Sequence, residues 1–311
     1  MRELFNFPFT AMGSDCSLHL YGDNQPQAEE IAQAAVNEIA RIERRYSRYR
    51  SDSVITEINN VARCGGSISV DEETAKLIDF AFACYQRSGG LFDITSGILR
   101  KAWDFKSRQL PETKDIDGLL PLVGLSKVSW QRPHLKFAVE GMELDFGGIG
   151  KEYAADQAVA VCRTLGIRYG LVELGGDTAI IGSHPDKRPW KIGIRHPRDP
   201  ASIIASLSIH DGALASSGDY ERYMIIDGIR YCHILNPLTG WPCRSLAAVS
   251  VVADQCLLAG AVATIAMLKG CEASHWLSEI GLRYICIDED GLMESNCSTK
   301  EFDQNPGRAP I

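Results

Sequence analysis

An acidic residue, a run of glycines and a lysine lie close together in the middle of the chain. Residues 144–156 read LDFGGIGKEYAAD, with Asp145 before the glycines and Lys151 after them. The pattern predicts a strand that carries the acid, a glycine-rich turn, and a helix that begins at the lysine. Glycines let the backbone approach a ligand closely, and a helix N-terminus presents free N–H groups to an anion. The segment therefore predicts a cradle for the phosphate of a nucleotide or cofactor, although it matches neither the G-x-G-x-x-G fingerprint nor the P-loop.

Four other segments combine small residues, an acid or hydroxyl, and a sharp turn. They are SGGLFDIT at 88–95, LGGD at 174–177, ASSGDY at 215–220 and CHILNPLTG at 232–240. Each of the first three also has a plain interpretation as a helix cap or a tight turn. From the residues alone, the sequence indicates a phosphate-bearing ligand held by several glycine-rich loops and goes no further.

His233 is the sharpest candidate for catalysis in these segments. Of the seven histidines it alone lies among ligand-like turns, at the predicted end of a strand just before a Pro-Gly turn. A neutral imidazole suits general-base work near pH 7. A strand histidine is more often a hydrogen-bonded structural residue, so both roles stay open at this point.

Composition limits the classes of protein that this chain could belong to. Its 311 residues provide one large or two ordinary domains, and 45% hydrophobic and 23% charged residues are typical of a soluble globular protein. A formal net charge of -8 argues against binding to a nucleic-acid backbone. The ten cysteines include no C-x-x-C pair, which indicates reduced, mostly buried thiols rather than a zinc site or a disulfide framework.

Two segments bear on membranes and on localisation. The first residues, MRELFNFP, contain no apolar signal region, so we expect a cytoplasmic protein. Residues 247–268 approach membrane-spanning length, but Asp254, Gln255 and Gly260 interrupt them. We therefore predict a buried strand followed by a buried helix, and no membrane segment.

The remaining patterns predict strands and helices in mixed order, which favours an α+β fold over a doubly wound sheet. Predicted strands cover 9–21, with a break near Gly13, and 170–181, 190–194, 201–210 and 284–288. A hairpin of 223–226 and 231–235 is predicted over Asp227-Gly228. One predicted helix begins after Asp23 or Asn24. Three others cover 71–87, the segment from Lys151 to about 165, and 272–280.

Taken together and in chain order, these segments resemble the ApbE family, the FAD:protein FMN transferases. The motifs that carry the resemblance are TAMG at 10–13, SRYRSDS at 47–53 with Asn59, GLFDIT at 90–95 with WDF at 103–105, the segment 144–156, GGD at 175–177, SSGDY at 216–220 and HILNP at 233–237. The resemblance covers nearly the whole chain. It implies a single α+β domain over 1–311 of the ApbE (T-fold-like) type, with mixed sheets and flanking helices, either undivided or formed of two lobes around a FAD cleft.

The resemblance also implies an activity, in which FMN passes from FAD to a threonine or serine hydroxyl of a partner flavoprotein and AMP leaves. His233 matches the family histidine that helps to deprotonate the acceptor. The implied FAD contacts are Met12, Tyr49, Leu91, Phe92, Asp93, Asp145, Lys151 and Leu235. In this family Mg²⁺ bridges the FAD diphosphate, and the implied metal contacts are the carbonyls of Gly148 and Ala263 and the hydroxyl of Thr264.

Two positions depart from the family pattern. Gly260 stands where the family has an aspartate that binds the metal, four residues before Thr264, and Asn236 stands where an aspartate is usual. Because Mg²⁺ prefers oxygen ligands that usually include a carboxylate, weak or altered metal use is expected, with activity raised by Gly260→Asp. Two alternatives to FMN transfer stay open: a non-catalytic FAD-binding paralogue, and a FAD pyrophosphatase that yields FMN and AMP.

Overall fold

The computed structural model describes residues 2–298 and 302–303 of the chain. The strands are β1 (Glu3–Ala11), β2 (Ser14–Gly22), β3 (Ser67–Ser69), β4 (Val128–Gln131), β5 (His134–Phe137), β6 (Gly170–Leu174), β7 (Asp177–Gly182), β8 (Trp190–Arg195), β9 (Ile203–Ile209), β10 (Ala213–Gly218), β11 (Tyr223–Ile226), β12 (Ile229–Cys232), β13 (Leu246–Ala253), β14 (Arg283–Asp288), β15 (Met293–Ser295) and β16 (Phe302–Asp303). The helices are α1 (Gln25–Tyr46), α2 (Val54–Arg63), α3 (Glu72–Arg87), α4 (Thr113–Leu119), α5 (Gly150–Thr164), α6 (Cys256–Lys269) and α7 (Ala273–Ile280).

A central sheet of eight strands, in the order β1-β2-β6-β7-β10-β13-β14-β15, organises the fold. Every strand pairing in it is antiparallel. Strand β13 lies inside the sheet and all eight of its residues are buried, which fits its unbroken apolar sequence LAAVSVVA. The α+β class is confirmed.

A layer of helices α1, α5 and α6 covers one face of this sheet. Asn24 accepts a hydrogen bond from the amide of Gln27 at 3.0 Å, so it caps α1 as the sequence predicts. Ile31, Ile39 and Ile42 recur at helical spacing and are buried towards the sheet. Helix α5 lies between the other two, so the glycine-rich turn opens directly at the edge of the core.

The second face of the sheet is covered by a small sheet of β8, β9 and β16. Trp190 and Ile194 of β8 pack with Leu207 of β9 against buried side chains of the central sheet, including Leu171 and Leu214. Each residue of the central strands therefore faces either the helices or the small sheet, which explains why the inner strands are apolar on both sides.

Four predicted elements differ from the structure. Residues 9–21 and 170–181 each form two strands, because Met12-Gly13 and Gly175-Gly176 turn the chain at positive φ into tight hairpins. Asp145 lies in a loop before the turn rather than in a strand. His233 lies one residue beyond β12.

The apolar segment after β13 forms helices of the core. Residues Cys256–Ile280 are long and apolar enough to cross a membrane, but 61% of that window is buried inside the protein. The segment also bends at Gly270, whose positive φ separates α6 from α7. A buried strand followed by a buried helix is therefore confirmed, and such a helix is weak evidence for a membrane span.

Candidate functional site

The glycine-rich turn leads directly into the first turn of α5. The amides of Ile149 and Gly150 donate to the carbonyl of Phe146, at 2.9 and 2.7 Å, which closes the turn. The following amides, of Lys151 and Glu152, belong to the first turn of the helix, whose amides have no partner within the helix itself. These amides and the helix dipole favour an anion at this place.

Asp145 forms one wall of the turn together with Arg48. The carboxylate of Asp145 accepts from the amide of Gly147 at 2.9 Å and pairs with the guanidinium of Arg48. Arg48 also donates to the hydroxyl of Tyr49 at 2.8 Å and lies over its ring. Burial opposes the charge of Arg48, but Asp145 and the Tyr49 hydroxyl together hold the pKa of Arg48 above its ordinary value. Tyr49 is 80% exposed, so an aromatic face is free for a planar ligand.

The loop that carries Leu91, Phe92 and Asp93 packs against the glycine-rich turn. The Phe92 ring lies 3.7 Å from the point where a Cβ on Gly148 would stand. Asp93 is buried, and its carboxylate accepts from the amide and hydroxyl of Thr95 at 2.8 and 2.6 Å and from the amide of Leu125 at 2.9 Å. Burial raises the pKa of Asp93. The structure thus shows Asp93 holding this loop together, while its contact with FAD stays a prediction.

Lys151 directs its ammonium group at a buried carboxylate. Its Nζ pairs with Asp177, which is 1% exposed, and lies 3.8 Å from Oε1 of Glu152. Burial works against the charge of Lys151, but the two carboxylates prevail and keep its pKa above the ordinary value. Asp177 also accepts from the amide of Ser216 at 3.0 Å. The ion pair therefore joins the start of α5 to strands β7 and β10.

Met12 lies close to Lys151. It adopts a φ of 53° in the turn between β1 and β2, and its amide donates to Glu43 at 3.0 Å. A shallow hollow is lined by Ala11, Met12, Ser14, Cys16, Lys151, Leu174 and Gly175. The structure therefore brings the predicted contacts Met12 and Lys151 to one surface.

Thr264 and Ala263 lie on α6, which faces the start of α5. The hydroxyl of Thr264 forms a hydrogen bond of 3.0 Å with the hydroxyl of Ser217 on β10, and Ala263 is fully buried. Within residues 2–298 and 302–303, no group of three or more His, Cys, Asp or Glu side chains is arranged to hold a metal ion. Any cation here would therefore depend on hydroxyls, carbonyls and a few carboxylates, together with oxygens of the ligand.

Glu152 fills the space beside Gly260. A Cβ on Gly260 would stand 2.5 Å from Cγ and 3.0 Å from Oε1 of Glu152, so no side chain fits there while Glu152 keeps its position. Burial raises the pKa of Glu152; the Lys151 charge works against this shift, and that of Asp177 adds to it. The sequence prediction missed Glu152, because nothing in the local pattern relates it to Gly260, more than a hundred residues away.

The backbone of Arg222 holds the ring of His233 in one orientation. Its amide donates to the carbonyl of Arg222 at 2.9 Å, and its Nδ1 lies 3.3 Å from the same oxygen. Because a carbonyl only accepts, the proton is on Nδ1 and the lone pair is on Nε2. Burial, followed by the Arg222 charge, lowers the pKa of His233, although the hydrogen bond works the other way.

A 3₁₀ turn, Ser96–Lys101, lies between the His233 loop and the glycine-rich turn. A Cβ on Gly97 would stand 2.4 Å from Cβ of Asp145, so the turn packs directly against that side chain. The next two residues, Ile98 and Leu99, pack against Leu235. The structure therefore links Leu235 to the Asp145 wall through this turn, whereas Met12 and Lys151 form the opposite end of the site.

A helix N-terminus and the loops beside it lie at the edge of an antiparallel sheet, an arrangement that suits an anionic ligand. The model of the ApbE family matches residues 12–286, and the chain belongs to that family. The resemblance inferred from the motifs is confirmed.

Known relatives agree with this assignment. A FAD:protein FMN transferase of Rhodobacter capsulatus is 32% identical over 247 residues, which cover 76% of this chain and 46% of that protein, so the chain spans about half its length. A FAD:protein FMN transferase of Klebsiella pneumoniae is 28% identical, with 94% and 93% covered. The ApbE protein of Thermotoga maritima has a TM-score of 0.87, 30% identity, and coverage of 94% and 97%. The flavinyl transferase ApbE of Pseudomonas stutzeri has a TM-score of 0.83, 27% identity, and coverage of 94% and 95%.

Proposed function

We propose that this protein is a FAD:protein FMN transferase, which moves FMN from FAD to a serine or threonine hydroxyl of an acceptor flavoprotein. The observation that carries the proposal is the α5 N-terminus, where the first-turn amides and Lys151 directly follow the turn that Asp145 and Arg48 flank. In a chain of the ApbE family, this turn fits the diphosphate of FAD. The exposed Tyr49 ring lies beside the wall, where it would contact the planar part of FAD.

In the proposed reaction, His233 accepts the proton of the acceptor hydroxyl at Nε2. The hydroxyl oxygen then forms a bond to the FMN phosphorus, the bond from that phosphorus to the AMP oxygen breaks, and AMP leaves. Nδ1 donates to the carbonyl of Arg222, which leaves the lone pair of Nε2 available to accept the proton and stabilises the charge that the ring gains. Asn236 binds the amide of Leu238 at 2.9 Å through its side-chain oxygen, which orders the turn behind His233.

At the other end of the site, Lys151 and the amides of α5 stabilise negative charge on the phosphate oxygens. The positive groups are fixed before the ligand arrives, because Lys151 is held by Asp177 and Arg48 by Asp145. Such preorganised charge stabilises the transition state of phosphoryl transfer more than a mobile solvent does.

A divalent cation fits the donors of this site, and we propose Mg²⁺. The carbonyls of Gly148 and Ala263 and the hydroxyl of Thr264 would hold it, and Glu152 has a buried carboxylate oxygen without a partner in the described residues. Oxygen donors of this kind suit a hard cation. When bound, the cation would neutralise charge on the diphosphate oxygens.

The transfer rate should follow the protonation of His233. Only the neutral ring accepts a proton, and the pKa of His233 is lowered by burial and by Arg222. We therefore expect kcat to stay constant above about pH 6.5, the ordinary histidine value, and to fall only below it. Rates at saturating FAD and acceptor over about pH 5–8 measure this. A midpoint above the ordinary value would contradict the proposed role.

Intact-mass spectrometry of a candidate acceptor flavoprotein, incubated with this protein, FAD and Mg²⁺, tests the proposed function. The expected result is an acceptor heavier by one FMN less one water, dependent on a single serine or threonine. FAD binding by isothermal titration accompanies the assay. Binding without transfer to any acceptor would favour the non-catalytic FAD-binding paralogue, and absence of binding would contradict both functions. The cytoplasmic location remains a prediction.

A further inference from the structure

Gly260 leaves a space on α6 that a side chain from another helix fills. The Cβ position of Gly260 is blocked by Cγ, Cδ and Oε1 of Glu152, at 2.5, 3.0 and 3.0 Å. Glu152 projects from the first turn of α5. Its carboxyl group thus stands where a carboxyl group at position 260 would otherwise lie.

The carboxylate of Glu152 is buried without sufficient partners. The residue is 7% exposed, and Oε2 has no hydrogen-bond partner within the described part of the chain. Lys151 does not meet this need, since its Nζ pairs closely with Asp177 and lies 3.8 Å from the other oxygen, Oε1. A buried carboxylate oxygen without a partner costs free energy, so it indicates a missing cation or donor at this point.

Other oxygen donors lie on the elements that neighbour Glu152. Thr264 lies one helical turn after Gly260, so its hydroxyl lies on the same face of α6 as the space that Glu152 fills. That hydroxyl contacts Ser217 at 3.0 Å, and the neighbouring amide of Ser216 binds Asp177. Contacts therefore link Glu152, through Lys151 and Asp177, to the Ser216–Ser217 segment of β10 and to Thr264 of α6.

We propose that Glu152 is the anionic ligand of the divalent cation in this protein, in place of a carboxylate at position 260. The assignment rests on the proposed function, because the cation would be the one that bridges the FAD diphosphate. It reverses the expectation drawn from the sequence that Gly260→Asp would raise activity. A side chain at 260 would collide with Glu152, so that single substitution should lower activity and stability.

Manganese binding tests the proposal without measuring turnover. Mn²⁺ is titrated into protein saturated with FAD, and free Mn²⁺ is followed by electron paramagnetic resonance. Glu152→Gln keeps the volume and removes the charge, so we expect Mn²⁺ affinity to fall by about 10-fold or more. FAD affinity in metal-free buffer should stay within about 3-fold, a change below 1 kcal/mol.

A control variant and an exchange variant sharpen the result. Asp79 lies on α3, and its carboxylate accepts hydrogen bonds from Trp130 and Arg132, which lie outside α5 and α6. Asp79→Asn should therefore leave Mn²⁺ affinity unchanged. Glu152→Gly combined with Gly260→Asp moves the carboxylate from α5 to α6 and removes the collision. The double variant should recover Mn²⁺ affinity, whereas Glu152→Gly alone should not.

Two results would overturn the proposal: wild-type affinity for Mn²⁺ in Glu152→Gln, or no Mn²⁺ binding by the FAD-loaded wild-type protein. The proposed function fails separately. It fails if the wild-type protein does not bind FAD or does not modify any acceptor with Mg²⁺ or Mn²⁺ present. If the wild-type protein transfers FMN and the Glu152→Gln variant binds Mn²⁺ normally, the proposed function stands. Only the assignment of Glu152 as a cation ligand is then excluded.

Discussion

Replacing His233 by alanine is expected to lower the rate of FMN transfer by about 10²–10⁴-fold, the usual contribution of a positioned general base. FAD affinity should change little, because the described contacts of His233 involve Arg222 and not the α5 turn. Single-turnover transfer at saturating FAD and acceptor measures the rate, and isothermal titration measures the affinity.

His275→Ala is the matched control for this substitution. His275 has an 82% exposed side chain that pairs with Glu279 along α7 at 3.3 Å, so its removal should leave the transfer rate unchanged. A His233→Ala variant that transfers FMN at the wild-type rate would remove His233 from the mechanism. Loss of FAD binding in the same variant would instead assign His233 to ligand binding.

Replacing Lys151 by methionine is expected to lower the free energy of unfolding by about 3–5 kcal/mol, since it leaves a buried carboxylate without its counter-ion. The carboxylate is that of Asp177, which is 1% exposed and has Lys151 as its ion-pair partner. FAD affinity should fall as well, because the substitution removes a positive charge from the α5 N-terminus. Urea unfolding at pH 7 measures the stability.

Lys76→Met provides the comparison for an exposed pair. Lys76 lies 3.8 Å from Glu72 one turn earlier on α3, and both side chains are about two-thirds exposed, at 70% and 68%. Such pairs contribute only about 0.3–0.5 kcal/mol. Equal losses of stability in the two variants would show that the Lys151–Asp177 pair is not a buried electrostatic contact.

Local chemistry made much of the fold predictable. Asn24, one of the two predicted caps, caps α1, and Asp71, predicted as the first residue of a helix, caps α3, because an Asx side chain before a helix satisfies its free amides wherever the helix lies. Residues 9–21 and 170–181 were each predicted as one strand with glycines inside it. The glycines indicate a break or a turn, and only the pairing of neighbouring strands shows that the chain reverses.

The site was predictable only where its residues are neighbours in sequence. The glycine-rich turn and Lys151 follow from one segment, whereas the roles of Arg48 and Glu152 depend on contacts with Asp145 and Gly260. Gly260 is informative in this respect. From the sequence it is a missing ligand, but in three dimensions it is the space that admits another carboxylate.

The fate of the flavin after turnover tests the central claim most directly. Protein, acceptor, FAD and Mg²⁺ are incubated together, and the AMP released is compared with the FMN that stays bound to denatured acceptor. Transfer predicts one covalently bound FMN for each AMP and no accumulation of free FMN. AMP released together with free FMN would identify a pyrophosphatase and contradict the proposed transfer.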